Sequence, residues 1–121
     1  MIGYVCLGTN DLPRAAKFYD ALLPGISAKR VMEAGNFIAW GTGQGPMLAL
    51  TKPFNGKPAT VGNGDMVAIA VDSTAKVDAM YRKAIELGGT DEGPAGPRSE
   101  GFYAGYFRDP DGNKLSFFHM K

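Results

Sequence analysis

The sequence predicts an α+β fold in which one strand–helix–three-strand unit occurs twice. Three observations predict it. Two stretches carry apolar residues at helical spacing, and each follows a short apolar run. After each come short strand-like segments separated by turns, which fits a chain with 17 glycines and 8 prolines. The halves also match residue by residue: Tyr4-Val5 with Met66-Val67, Phe37-Ile38-Ala39 with Phe102-Tyr103-Ala104, and Leu48-Ala49-Leu50 with Leu115-Ser116-Phe117. This matching gives the last turn of the second half about two more residues than its counterpart.

Residues 3–9 (Gly-Tyr-Val-Cys-Leu-Gly-Thr) read as the first strand. Asn10 or Asp11 caps the following helix, since a short polar side chain there accepts a bond from a free amide of the first turn. Pro13 fits that turn, where its missing N–H is not needed. Leu12, Ala15, Ala16, Tyr19, Leu22 and Leu23 form one stripe, with Arg14, Lys17 and Asp20 away from it. Pro24-Gly25 is expected to end the helix. Three strands follow, at about 27–33, 36–41 and 46–52.

The plan then restarts. Residues 66–71 (Met-Val-Ala-Ile-Ala-Val) form a strand, and Asp72, Ser73 or Thr74 caps the second helix. Val77, Met80, Tyr81, Ala84 and Leu87 make its apolar stripe, and Gly88-Gly89 stops it. A short strand near 90–92, a strand at 102–108, the turn Asp109-Pro110-Asp111-Gly112-Asn113 and a last strand at 114–120 complete the chain.

The expected organisation is one domain, 1–121, with a first module at 1–52, a crossover at 53–64 and a second module at 65–121. The crossover is the most turn-rich stretch, but a module of ~50–60 residues is too small to hold a good core alone. It is therefore read as a connection inside one domain, and as a candidate pocket edge. A ferredoxin-like arrangement needs a single hairpin between its helices. Residues 25–73 hold three strands and the start of the next half, too much for one hairpin.

Composition excludes several classes of function. The formal net charge is +1, from 13 basic and 12 acidic residues, so nothing points to nucleic acid or an anionic membrane. No apolar run nears the ~20 residues that span a bilayer. Met1-Ile2-Gly3-Tyr4-Val5 has no basic region before its apolar residues, so no signal peptide is expected. One cysteine, Cys6, cannot form an internal disulfide, and with six methionines it favours a reducing, cytoplasmic setting.

Three segments resemble glyoxalase/bleomycin-resistance domains of the vicinal oxygen chelate superfamily. They are Tyr4-Val5-Cys6-Leu7-Gly8-Thr9-Asn10-Asp11-Leu12 with Phe18-Tyr19, Gly62-Asn63-Gly64, and Phe107-Arg108-Asp109-Pro110-Asp111-Gly112-Asn113-Lys114-Leu115. The resemblance spans nearly the whole chain. It implies two βαβββ modules forming an incompletely closed mixed-sheet cup, a small-molecule ligand and a homodimer. Metal-using members of that family carry His, Glu, His and Glu at positions that correspond here to Tyr4, Ala49, Met66 and Ser116. Alanine has no donor, methionine is soft, and neutral tyrosine and serine are weak oxygen donors. A catalytic site for a first-row metal generally takes three ligands from His, Glu, Asp or Cys. Shifting the alignment by one brings in Asp65, which points to the other face of its strand. No metal and no cofactor are therefore expected.

The candidate pocket comprises Tyr4, Trp40, Ala49, Thr51, Met66, Tyr103, Tyr106 and Ser116, since aromatic faces with a few hydroxyls suit a small ligand. The alternative for each is that it fills the core. Arg98 is expected in a loop over the cup, where it could hold a carboxylate or phosphate, or else as a solvated surface residue. His119 has opposite parity to Ser116 and is expected to face away from the cup. Cys6 shares parity with Tyr4 and reads as a small buried thiol unless a base or cation lies near it. Asp109 and Asp111 belong to a turn sequence, and Gly41-Thr42-Gly43-Gln44-Gly45 reads as a hairpin turn because no helix follows it. No catalytic residue is assigned. Three functions remain: a metal-independent small-molecule binder, a lyase, isomerase or dioxygenase-like enzyme with an atypical metal or none, and an interaction module without small ligand. The absent metal donors and the aromatic lining favour the first.

Overall fold

Two four-stranded mixed sheets, each with one helix, account for the chain in a computed structural model that describes all residues 1–121. Neither sheet closes into a barrel. The chain divides into two units, Met1–Gly62 and Asn63–Lys121, at a point inside the expected crossover.

The first unit contains β1 (Tyr4–Gly8), α1 (Leu12–Leu22), β2 (Lys29–Ala34), β3 (Phe37–Gly41) and β4 (Met47–Thr51). The sheet order is β1-β4-β3-β2, with β1 parallel to β4 and the other pairs antiparallel. Of the two candidate caps, Asp11 fills the role, accepting from the Arg14 amide at 3.1 Å. Asn10 instead holds the crossover. Its Nδ2 donates to the Ala59 carbonyl at 3.1 Å, and the Ala59 N–H donates to its Oδ1 at 2.6 Å. The helix stripe also includes Phe18, while Leu12 is only half-buried. Pro24-Gly25 does not stop the chain abruptly. The helix tightens into a 3₁₀ turn, Leu23–Ile26, that ends at Ser27 in the left-handed conformation (φ 62°).

The second unit contains β5 (Val67–Ala70), α2 (Thr74–Glu86), β6 (Thr90–Ser99), β7 (Phe102–Arg108) and β8 (Lys114–Met120), in the sheet order β5-β8-β7-β6. Ser73 caps α2, accepting from the Lys76 amide at 3.1 Å, and Gly88 leaves the helix at φ 104°. Gly89 is tightly enclosed, since a Cβ there would lie 2.7 Å from the Ala84 carbonyl oxygen. The expected short strand near 90–92 is in fact the start of a strand of 10 residues. Pro94 and Pro97 made this stretch look like a loop. It is an edge strand with three register shifts against β7, a position that tolerates proline.

The ladder also corrects the internal alignment. Cys6 and Ala39 sit opposite Ala49, as Ala68 and Tyr106 sit opposite Ser116. Thus Ala39 corresponds to Tyr106 and not to Ala104. The turns 42–46 and 109–113 have the same length, and the two additional residues lie in β7, which has 7 residues against 5 in β3. An even difference keeps every side chain on its original face.

Candidate functional site

Residues directly opposite on neighbouring strands point to the same side of a sheet. In the first sheet, one side packs on α1 and carries Ile38, Trp40, Leu48 and Leu50, all buried. The other side carries Tyr4, Cys6, Phe37, Ala39, Ala49 and Thr51. In the second sheet, the α2 side carries Tyr103, Phe107, Leu115, Phe117 and His119. The opposite side carries Ala68, Phe102, Ala104, Tyr106, Arg108, Lys114, Ser116 and Phe118, with Arg108 paired to Glu92.

This sorting divides the expected pocket residues. Trp40 belongs to the core under α1. It is 1% exposed, its ring centre lies 5.7 Å from that of Tyr19, and its Nε1 donates to Asp20 at 2.9 Å. Arg30 grips the same carboxylate with two bonds, of 2.9 and 2.6 Å, and reaches Glu33 at 2.7 Å. The Arg30 bond pulls the Asp20 carboxyl below the usual carboxylate range. Tyr103 likewise faces α2, where its hydroxyl donates to Asp78 at 2.6 Å. That bond, with partial burial, raises the Tyr103 pKa. Neither aromatic lies on the helix-free side. Strand alternation accounts for this: Tyr103 and Tyr106 are three apart and cannot share a face.

On the helix-free side of the first sheet, Tyr4 is 55% exposed and meets Phe37 edge-on at 5.9 Å. Ala49 lies closed to solvent at the centre, and the Thr51 hydroxyl donates to its neighbour's carbonyl, Lys52, at 3.0 Å. Cys6 is exposed, not buried as expected, on the side of the sheet that no helix covers. Partial burial still raises its pKa, the wrong direction for an activated thiolate.

The helix-free side of the second sheet has more polar character. Ser116 is 1% exposed and lies at the floor opposite Tyr106, and Met66 is exposed just ahead of β5. The Arg98 guanidinium lies 5.2 Å from the Tyr106 ring centre, and the Lys114 ammonium lies 5.6 Å from it. Arg98 is therefore part of an edge strand stacked on an aromatic, and not part of a closing loop. Lys114 and Phe37 were not among the expected residues. Lys114 shares parity with Ser116 two positions on, which is a signal present in the sequence.

The remaining candidates are structural. His119 Nδ1 lies 3.1 Å from the Val71 carbonyl on the α2 side, and only a protonated nitrogen bonds that acceptor. Asp109 is buried in its turn and accepts from the Asp111 amide, the Asn113 amide and the Asn113 side chain at 2.9–3.1 Å. Tyr81, whose hydroxyl donates to Asp91 at 2.7 Å, has its pKa pushed up to about 12 by burial and that bond. Two grooves lie elsewhere. One, of about 390 Å³, runs between α2 and β6 and includes Asp78, Tyr81, Arg82 and Pro94. The other, of about 320 Å³, is bordered by Asn10, Lys52 and crossover residues Pro53, Gly56, Lys57 and Pro58.

The four positions that the resemblance makes metal-ligand positions do not form a donor set for a divalent ion. Ala49 and Ser116 are closed to solvent, Tyr4 and Met66 offer weak or soft donors, and no group of three His, Cys, Asp or Glu side chains is placed to bind an ion.

Comparison with known proteins agrees with the strand order. The family profile described as Glyoxalase/Bleomycin resistance protein/Dioxygenase superfamily matches residues 1–117. The crystal structure of a glyoxalase/bleomycin resistance protein from Albidiferax ferrireducens T118 is 37% identical, with a TM-score of 0.92 over 100% of this chain and 99% of that one. A lactoylglutathione lyase from Agrobacterium tumefaciens is 26% identical, with a TM-score of 0.71 over 98% of this chain and 92% of its own. A glyoxalase-related enzyme from Fulvimarina pelagi is 25% identical, with a TM-score of 0.78 over 98% and 86%. No curated protein matches the chain.

Proposed function

The chain belongs to the glyoxalase/bleomycin resistance protein/dioxygenase superfamily, and we propose that it binds a small organic molecule on its helix-free sheet surfaces without a metal at the family's ligand positions. One observation carries the reading: the second sheet presents Tyr106, Arg98 and Lys114 together where metal-using relatives would place carboxylate and imidazole ligands nearby. An aromatic face with a few oriented polar groups is the usual make-up of a small-ligand site. Acid–base catalysis finds little support, because Cys6 and Tyr103 are both shifted upward, away from neutrality. The reading includes a homodimer, which family resemblance implies, and a cytoplasmic setting, which the single cysteine favours.

A thermal-shift screen tests it, using aromatic, thiol-conjugate and antibiotic ligands alongside Ni²⁺, Zn²⁺, Mn²⁺ and Fe²⁺. A ligand that binds only the folded state stabilises by about 2.7 kcal/mol at a hundredfold excess over its Kd. The expected result is a rise with at least one organic class and none with stoichiometric metal. A rise with metal alone refutes the metal-free reading.

A further inference from the structure

Resting on the small-molecule reading above, we infer that the helix-free side of the second sheet recognises an organic oxyanion: a carboxylate or phosphate carried on an apolar body. The two cations over Tyr106 come from the strands on either side of it, Arg98 from β6 and Lys114 from β8. Neither is matched by a carboxylate. The other β-strand arginines are matched, Arg30 to Asp20 and Glu33, and Arg108 to Glu92. Two like charges beside one ring, with no carboxylate paired to either, make this face attractive to an anion.

The backbone also holds Arg98 in place. A Cβ at Gly93 would stand 3.3 Å from one guanidinium nitrogen, and a Cβ at Gly96 would stand 3.3 Å from the other. The first nitrogen donates to the Pro94 carbonyl. The two glycines thus leave a seat that a side chain would fill, and the arginine is oriented before any ligand arrives. A pre-oriented guanidinium suits the flat, two-oxygen edge of a carboxylate or phosphate.

The same face specifies the other end of the ligand. Along β8, Lys114, Ser116 and Phe118 point the same way, and Phe118 packs at 5.7 Å on Phe102. Strand geometry separates Lys114 from Phe118 by ~13 Å. A cationic end and an aromatic end on one face suit an acid carried on an apolar or aryl body. Ser116 is closed to solvent, so Arg98, Lys114, Tyr106 and Phe118 are the groups met without rearrangement.

Calorimetric titration with 3-phenylpropionate, phenyl phosphate, inorganic phosphate and the neutral 3-phenylpropanamide tests the inference. Wild-type protein should bind at least one of the two aryl anions at least tenfold more tightly than the amide or inorganic phosphate. Arg98→Ala and Lys114→Ala should each weaken it by about tenfold, the worth of one charge-assisted bond. Melting temperatures of the variants confirm that they fold. Whichever of the two aryl anions binds more tightly identifies the oxyanion. Equal binding of acid and amide, or affinity unchanged in both the Arg98→Ala and the Lys114→Ala variant, overturns the inference. So does silence from both aryl anions when another organic ligand raises the melting point, and the small-molecule reading then survives. Silence from every organic ligand defeats both.

Discussion

The two units share a plan and anchor their helices with different chemistry. In the first, the charged network lies on the helix side: Arg30 grips Asp20, which also accepts from the buried Trp40 indole. The far side of that sheet carries the uncharged Tyr4, Cys6, Phe37 and Ala49, with Lys29 as a charge on its edge strand. In the second, neutral hydroxyls tie sheet to helix and to edge strand, Tyr103 to Asp78 and Tyr81 to Asp91. Arg98 and Lys114 stand on its far side, over Tyr106, with the Arg108 of the Glu92 ion pair on the same side. Charge used to anchor a helix is no longer available to a ligand. The second unit, by anchoring its helix with hydroxyls, leaves two cations uncommitted.

Truncating a large core ring in either unit should have the greatest effect. Trp40→Ala and Phe107→Ala should each cost about 3–5 kcal/mol in urea unfolding. A loss below about 1 kcal/mol at Trp40 would move it out of the core and restore it as a pocket residue. Gly105→Ala should come next, because a Cβ there meets the Tyr81 side chain at 3.0 Å; overpacking of this kind costs about 1–3 kcal/mol. A neutral result would show that Tyr81 is free to move. Asn10→Ala removes both bonds to Ala59 and should cost about 1–2 kcal/mol. It should also speed proteolysis within 53–62 relative to the rest of the chain. Tyr103→Phe should cost about 1 kcal/mol and leave ligand affinity unchanged. Lost affinity would return Tyr103 to the binding surface.

The smallest effect concerns pH. Arg30 lowers the Asp20 pKa, so the charged carboxylate favours the folded state. That contribution is complete above the unfolded value of about 4 and is lost as pH falls through the lower folded value. Melting points of wild type and Asp20→Asn should therefore converge as pH drops below about 4. Both partners are a third or more exposed, so solvent screening keeps the difference small. A difference that widens on acidification would contradict the assignment.

Much of this was legible from local chemistry. The cap and turn residues and the apolar stripes marked both helices, and β7 and β8 fall at the residues expected. The edge strand β6 was not legible, because Gly93, Pro94, Gly96 and Pro97 have loop composition and only position in the sheet makes them a strand. The site was half legible. Tyr106, Ser116 and Tyr4 follow from parity, yet aromatic character alone also drew in Trp40 and Tyr103, which parity assigns to the helix side. Lys114 is not marked by local sequence because its partner Tyr106 lies across the 109–113 turn, on the adjacent strand β7.

The two-residue difference between β3 and β7 bears on how such a molecule can change over generations. A strand that grows by one residue turns its outward side chains inward and exposes its core. Growth by two lengthens the ladder and leaves both surfaces intact. Single-residue insertions in the middle of β7 should therefore be purged unless a bulge absorbs them, while paired insertions near the 99–102 hairpin should be inherited. Length variation among related chains should run in even steps within strands and in any step within turns.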